Sequence, residues 1–133
     1  VIGYQYGLAL ILSGKCDKAH TILSTARIEA ETLGHRSASL RCDLYLALCD
    51  AQTKGRRKTA LAAVHAIGQA ARQQGYEPLD MEALLVEARL LSGQEPEHAA
   101  RCRRGAAALA ERMQAFGAQR DVERNLKALM WTA

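Results

Sequence analysis

The chain has 133 residues, a formal net charge of +4, 49% hydrophobic residues, only 5% aromatics and two prolines. That length suits one domain with a real core, and an apolar share drawn largely from alanine and leucine favours close-packed helices over strands. No apolar run approaches the 18 or more residues needed to span a bilayer, so a soluble chain without membrane attachment is expected. The mildly basic balance permits acidic partners without demanding them.

The chain opens on Val1 inside an apolar stretch, with no basic start or small-residue cleavage site before it. It reads as a piece of a longer protein. Residues 1 to 13 form the first predicted helix, ended by Gly14. The second, 16 to 33, carries Ala19, Ile22, Leu23, Ala26, Ala30 and Leu33 on one face at steps of three and four, with Arg27, Glu29 and Glu31 opposite. The third, 37 to 53, contains "SLRCDLYLALCDA", apolar over a much wider arc, which predicts a helix covered on most sides. A fourth, 57 to 74, has Ala60, Val64, Ile67 and Ala71 on its stripe. The fifth, 78 to 92, contains "MEALLVEARLL" and again has the wide arc. The sixth, 96 to 116, carries Ala99, Cys102, Ala106, Leu109, Met113 and Phe116, and the last, 119 to 131, carries Val122, Leu126, Leu129 and Met130 as a capping helix. Pro78 and Pro96 suit the first turns of their helices, where a missing N–H costs nothing.

Two glycine series punctuate these segments. Gly14, Gly55 and Gly93 lie 41 and 38 residues apart, and Gly34, Gly75 and Gly117 lie 41 and 42 apart. Their alternation cuts each unit of about 40 residues twice, giving two helices per unit with a turn at each glycine. The expected fold is an all-α superhelix, a solenoid of about three and a half helical hairpins and seven helices. It forms one domain over 1–133 with units of about 1–34, 35–75 and 76–117 and a cap over 119–131.

The same positions resemble the tetratricopeptide repeat family. A small residue in the first helix, a glycine at the turn, an alanine opening the second helix and a further small residue along it stand at Gly7, Gly14, Ala19 and Ala26. Gly55 and Ala60 repeat part of this in the second unit, where Leu48 and Ile67 replace the small residues, and Gly93 with Ala99 does so in the third. The long unit and the Leu33–Gly34 turn are similar to the variant in maltose-regulator-type bacterial transcription activators and related signalling ATPases. The resemblance implies a non-catalytic protein-binding or effector-sensing scaffold within a larger bacterial signalling or transcription-regulating protein.

The residues offer little chemistry of their own. There is no phosphate-binding loop, paired-histidine metal helix or nucleophile elbow. Cys16 and His20 stand four apart on one predicted helix, but a structural zinc site wants four closely grouped ligands. Cys42 and Cys49 share a face seven residues apart, and all four cysteines, Cys16, Cys42, Cys49 and Cys102, read as small buried apolar packing in a reducing, cytoplasmic setting. His65 and His98 fall near helix starts or polar faces without an obvious serine or cysteine partner in the sequence, and His20 and His35 read as surface or turn residues. The expectation is no catalytic residue, no metal and no cofactor.

Two candidate surfaces remain. Arg41, Asp43, Asp50, Glu82, Glu87 and Arg89, the less apolar residues of the wide-arc helices, are expected to line a surface that receives a peptide or a neighbouring domain. The alternative is a basic edge of Arg56, Arg57, Lys58, Arg101, Arg103 and Arg104, receiving nucleic acid or a phosphate-bearing partner. Tyr4, Tyr6, Tyr45, Tyr76, Phe116 and Trp131 are too scattered for a base-stacking platform. A third reading is a purely structural spacer or dimerisation element.

Overall fold

The computed structural model describes residues 3–53, 55–114 and 116–128. The predicted stripe positions Leu129 and Met130, the terminal Trp131 and Lys54 of the basic run lie outside the described residues, as do the side chains of Tyr4 and Phe116. Among the described residues there are seven helices and no strand: α1 Gly3–Leu12, α2 Cys16–Thr32, α3 Arg36–Ala51, α4 Arg57–Gln74, α5 Glu77–Leu91, α6 Pro96–Met113 and α7 Phe116–Ala128. None of these is long and apolar enough to cross a membrane.

The turns explain the spacing. After α1, α2 and α4 the chain closes in one and the same way. Gly34 takes φ +74°, its N–H donates to the Glu31 carbonyl at 3.1 Å, and the His35 N–H reaches back to the Ala30 carbonyl at 2.8 Å. The pair of bonds recurs at Gly14 with Lys15 and at Gly75 with Tyr76. This is the glycine-terminated helix ending in which a left-handed residue lets two orphan carbonyls be satisfied. The residue after the turn then starts the next helix with its carbonyl, without a side-chain cap at Lys15, His35, Tyr76 or Glu95.

Four residues beyond each such start lies a buried position: Ala19, Ser39, Ala60, Asp80 and Ala99. Small side chains there let the new helix settle close to its neighbour. Ser39 and Asp80 are the two polar occupants of this position. The Oγ of Ser39 has no hydrogen-bond partner among the described residues, so its burial is a small standing cost.

The chain divides into two compact units, one reaching Ala63 and the other Val64–Ala128, with the boundary inside α4. In the first unit α1 packs on α2, α2 on α3, and α1 also meets α3. Gly7 of α1 sits so close to α2 that a Cβ there would fall 2.5 Å from Leu23 Cγ and Cδ2. Leu23 is fully buried, so glycine at 7 is set by close approach. The thiol of Cys49, near the end of α3, donates to the Cys16 carbonyl at the start of α2 at 3.2 Å, and Arg27 pairs with Asp43 at 2.7 Å. The two helices therefore run antiparallel.

In the second unit α5 is the covered element. Ten of its residues are buried, against four in α6. The wide apolar arc of α3 has the same outcome, nine buried residues against four in α2. Along α5, Asp80, Ala83 and Glu87 meet Arg72, Gly68 and His65 of α4 in turn. On another flank, Glu77, Leu84 and Glu87 meet Arg112, Gly105 and Cys102 of α6. Each step forward on α5 is matched by one backward on its neighbour, so both hairpins are antiparallel with a fixed register.

Three details differ from the sequence pattern. Leu33, on the expected stripe, is the residue after α2 and is 64% exposed, because the helix ends before its face comes round. Gly93 lies in a turn but does not adopt a positive φ. Gly117 is inside α7, and the left-handed break after α6 falls on Gln114, at φ 54°. A side chain in that region costs about 1–2 kcal/mol relative to glycine, partly offset by the freedom glycine gains in the unfolded chain. Gln114→Gly should therefore stabilise the chain by up to about 1 kcal/mol, read as a higher urea midpoint. A lower midpoint would show that the Gln114 side chain itself holds the turn.

Candidate functional site

A helix covered on nearly all sides must give each polar side chain it carries a partner. α5 carries two buried carboxylates, and they are treated differently. Asp80, 4% exposed, receives both Nε and Nη2 of Arg72 at 3.3 Å. Glu87, 6% exposed, has no arginine or lysine in hydrogen-bond contact among the described residues. Its Oε1 lies 3.4 Å from His65 Nδ1. Its Oε2 lies 3.3 Å from His98 Nε2 and 3.6 Å from Cys102 Sγ, which donates to it.

His98 and Cys102 are one turn apart on α6, so they point the same way toward α5. One carboxylate oxygen of Glu87, one ring nitrogen of His98 and Cys102 Sγ all lie within 4.8 Å of one another. The cluster borders a cavity of about 230 Å³, also lined by Gly68, Gln69, Arg72 and Arg101. Cys102 is the partner of His98 that the sequence pattern leaves unassigned. The signal was the spacing of four, the same as between Cys16 and His20; here α5 adds a third group. Cys16 instead uses its carbonyl toward Cys49, and His20 is exposed.

Burial, with the Glu87 charge second, pushes the Cys102 thiol up to about 11. Cys42 and Cys49 are pushed up chiefly by burial too. Thiols held this way are protonated near neutral pH and are poor nucleophiles. Burial also raises the Asp43 carboxyl above its ordinary value, even though Arg27 pulls the other way.

On a different flank of α5 lies a second cavity, of about 310 Å³, lined by Leu85, Ala88, Arg89, Ser92, Arg103, Glu123, Leu126 and Lys127. Arg89 Nε donates to the Leu126 carbonyl at 3.3 Å, a cation at the negative end of α7. The floor is apolar. The rim holds three cationic side chains, Arg89, Arg103 and Lys127, against one carboxylate, Glu123.

The six residues expected to line a partner surface are distributed as follows. Arg41, Asp43 and Asp50 are half-buried on α3, with Asp43 engaged by Arg27. Glu82, Glu87 and Arg89 are on α5. Of these, Glu82 is half-buried, Glu87 faces α4 and α6, and Arg89 faces α7. Glu87 and Arg89 thus serve different cavities. In the basic runs, Arg56 and Lys58 are exposed and Arg57 half-buried at the start of α4, while Arg101, Arg103 and Arg104 are exposed on α6. Arg101 opens on the Glu87 cavity and Arg103 on the other, because two residues apart on a helix is more than half a turn.

No protein-family model, curated protein or solved structure matches the chain.

The Arg72–Asp80 pair yields an asymmetric prediction. Arg72 is well exposed and Asp80 is not, so removing one leaves a hydrated charge and removing the other leaves a buried one. Asp80→Ala, which restores the alanine found at the equivalent place of α2, α4 and α6, should cost no more than about 1 kcal/mol. Arg72→Ala should cost about 1–3 kcal/mol. Equal losses in denaturant titrations would contradict this account of the pair.

Proposed function

We propose that the chain is a tetratricopeptide-like interaction module, a non-catalytic regulatory or sensor scaffold of a larger bacterial-type signalling or transcription-regulating protein. It docks a peptide segment carrying an apolar anchor next to an acidic residue. The observation that carries this reading is the α5–α6–α7 cavity, with its apolar floor of Leu85, Ala88 and Leu126 beneath a rim richer in cations than in carboxylates. Its volume, about 310 Å³, is at the lower end for ligand sites and suits one large side chain. The small residues after each turn and the likeness of their spacing to tetratricopeptide repeats support the same reading. The buried, protonated thiols of Cys42 and Cys49 are consistent with binding rather than catalysis.

Selection of peptides by display on the chain should enrich sequences with a large apolar residue beside Asp or Glu. Arg103→Glu combined with Lys127→Glu should weaken those peptides about tenfold, mostly at low salt. Absence of a consensus, or equal binding by the double variant, would contradict the reading. Salt-sensitive binding of duplex DNA, lost when Arg56, Arg57, Lys58, Arg101, Arg103 and Arg104 are reversed in charge, would transfer the role to nucleic acid.

A further inference from the structure

We propose that Glu87, His98 and Cys102 form a binding site for a divalent transition-metal ion, zinc by its donor set, with the fourth position open to the adjoining cavity and taken by water. This site is separate from the peptide cavity and does not depend on the reading given to it.

The donors come first. A thiolate, an imidazole and a carboxylate on one ion suit zinc and its borderline neighbours, whereas calcium and magnesium take oxygen ligands. Distances come second. Bonds of about 2.0–2.3 Å in a tetrahedron place neighbouring donors about 3.3–3.8 Å apart. The observed separations are 3.3 Å from His98 Nε2 to Glu87 Oε2 and 3.6 Å from Cys102 Sγ to the same oxygen, with one donor from each residue mutually within 4.8 Å. Both separations from Glu87 Oε2 fall in the tetrahedral range.

The third argument is electrostatic. A carboxylate buried as deeply as Glu87 needs a compensating positive charge. Arg72 on α4 gives its hydrogen bonds to Asp80 and Arg101 stands on the cavity lining; the groups in hydrogen-bond contact with Glu87 among the described residues are two imidazoles and a thiol, none of which carries a fixed charge. A bound cation supplies it. His65, at 3.4 Å from the other oxygen, then acts as a positioning residue, holding Oε1 so that Oε2 faces the ion, as outer partners of metal-bound groups do. The scaffold is well placed for this. His98 and Cys102 are fixed one turn apart on α6, and α5 is held in register with α6 by the contacts of Glu77 with Arg112 and of Leu84 with Gly105.

On binding, the S–H bond of Cys102 breaks, a sulfur–metal bond forms and the proton passes to solvent. No redox change is involved. The ion then ties α5 to α6 and stabilises the folded chain in proportion to its free concentration.

The test is titration of the chelator-treated 133-residue chain with Co2+, followed by Zn2+. The expected result is one Co2+ per chain with a near-ultraviolet thiolate charge-transfer band and visible bands of tetrahedral intensity, all removed by Zn2+. Cys102→Ser should abolish the charge-transfer band. Glu87→Gln and His98→Asn should each weaken binding about tenfold or more, and His65→Asn by less. Cys16→Ser should leave the spectrum unchanged. Far-UV circular dichroism identifies any variant that does not fold; if Cys102→Ser is one, the half-exposed His98→Asn decides, since it must lose affinity while remaining helical. No saturable binding, a band that survives Cys102→Ser, a band lost in Cys16→Ser, or unchanged affinity in a folded His98→Asn would overturn the proposal.

Discussion

The covering of α5 governs the rest of the second unit. A helix with ten of its fifteen residues buried has almost no surface on which to leave a polar group to water. Its two buried carboxylates and Arg89 are therefore each answered by a neighbouring helix. Asp80 draws Arg72 across from α4, Glu87 draws two histidines and a thiol, and Arg89 closes the carbonyl end of α7. A surface helix of the same composition would have dispersed these charges.

Close packing depends in turn on small residues at chosen points. Gly68 meets Ala83 and Gly105 meets Leu84, at 3.4 and 3.3 Å from where a Cβ would stand. In the first unit Gly7 has the corresponding place against Leu23. These contacts bring the backbones near enough for short side chains such as Cys102 to touch a carboxylate on the next helix. The turn geometry fixes where each helix begins, the small residues fix how near it lies, and together they set which side chains meet.

Much of the fold was legible because its signals are local. Turn glycines with left-handed φ, prolines in first turns and the contrast between narrow and wide apolar arcs all act within a few residues, and the seven helices follow from them. Gln114 escaped because a left-handed glutamine has no local mark, while Gly117, three residues on, carried the expected one. The candidate site was far less legible. His98 and Cys102 form a local pair, but the carboxylate that completes the cluster lies 11 residues before His98 on another helix. Only the register between α5 and α6 unites them. For the same reason Glu87 reads from the sequence as one of several polar residues on a common surface, whereas it and Arg89 project to different flanks.

Native-state amide hydrogen exchange tests the covering of α5 most directly. Within residues 64–128, the amides of α5 should be the slowest to exchange, with α6 and α7 opening at lower free energy. Exchange from α5 as fast as from α7 would contradict the account, since a helix that opens so readily could not hold Asp80 and Glu87 out of water.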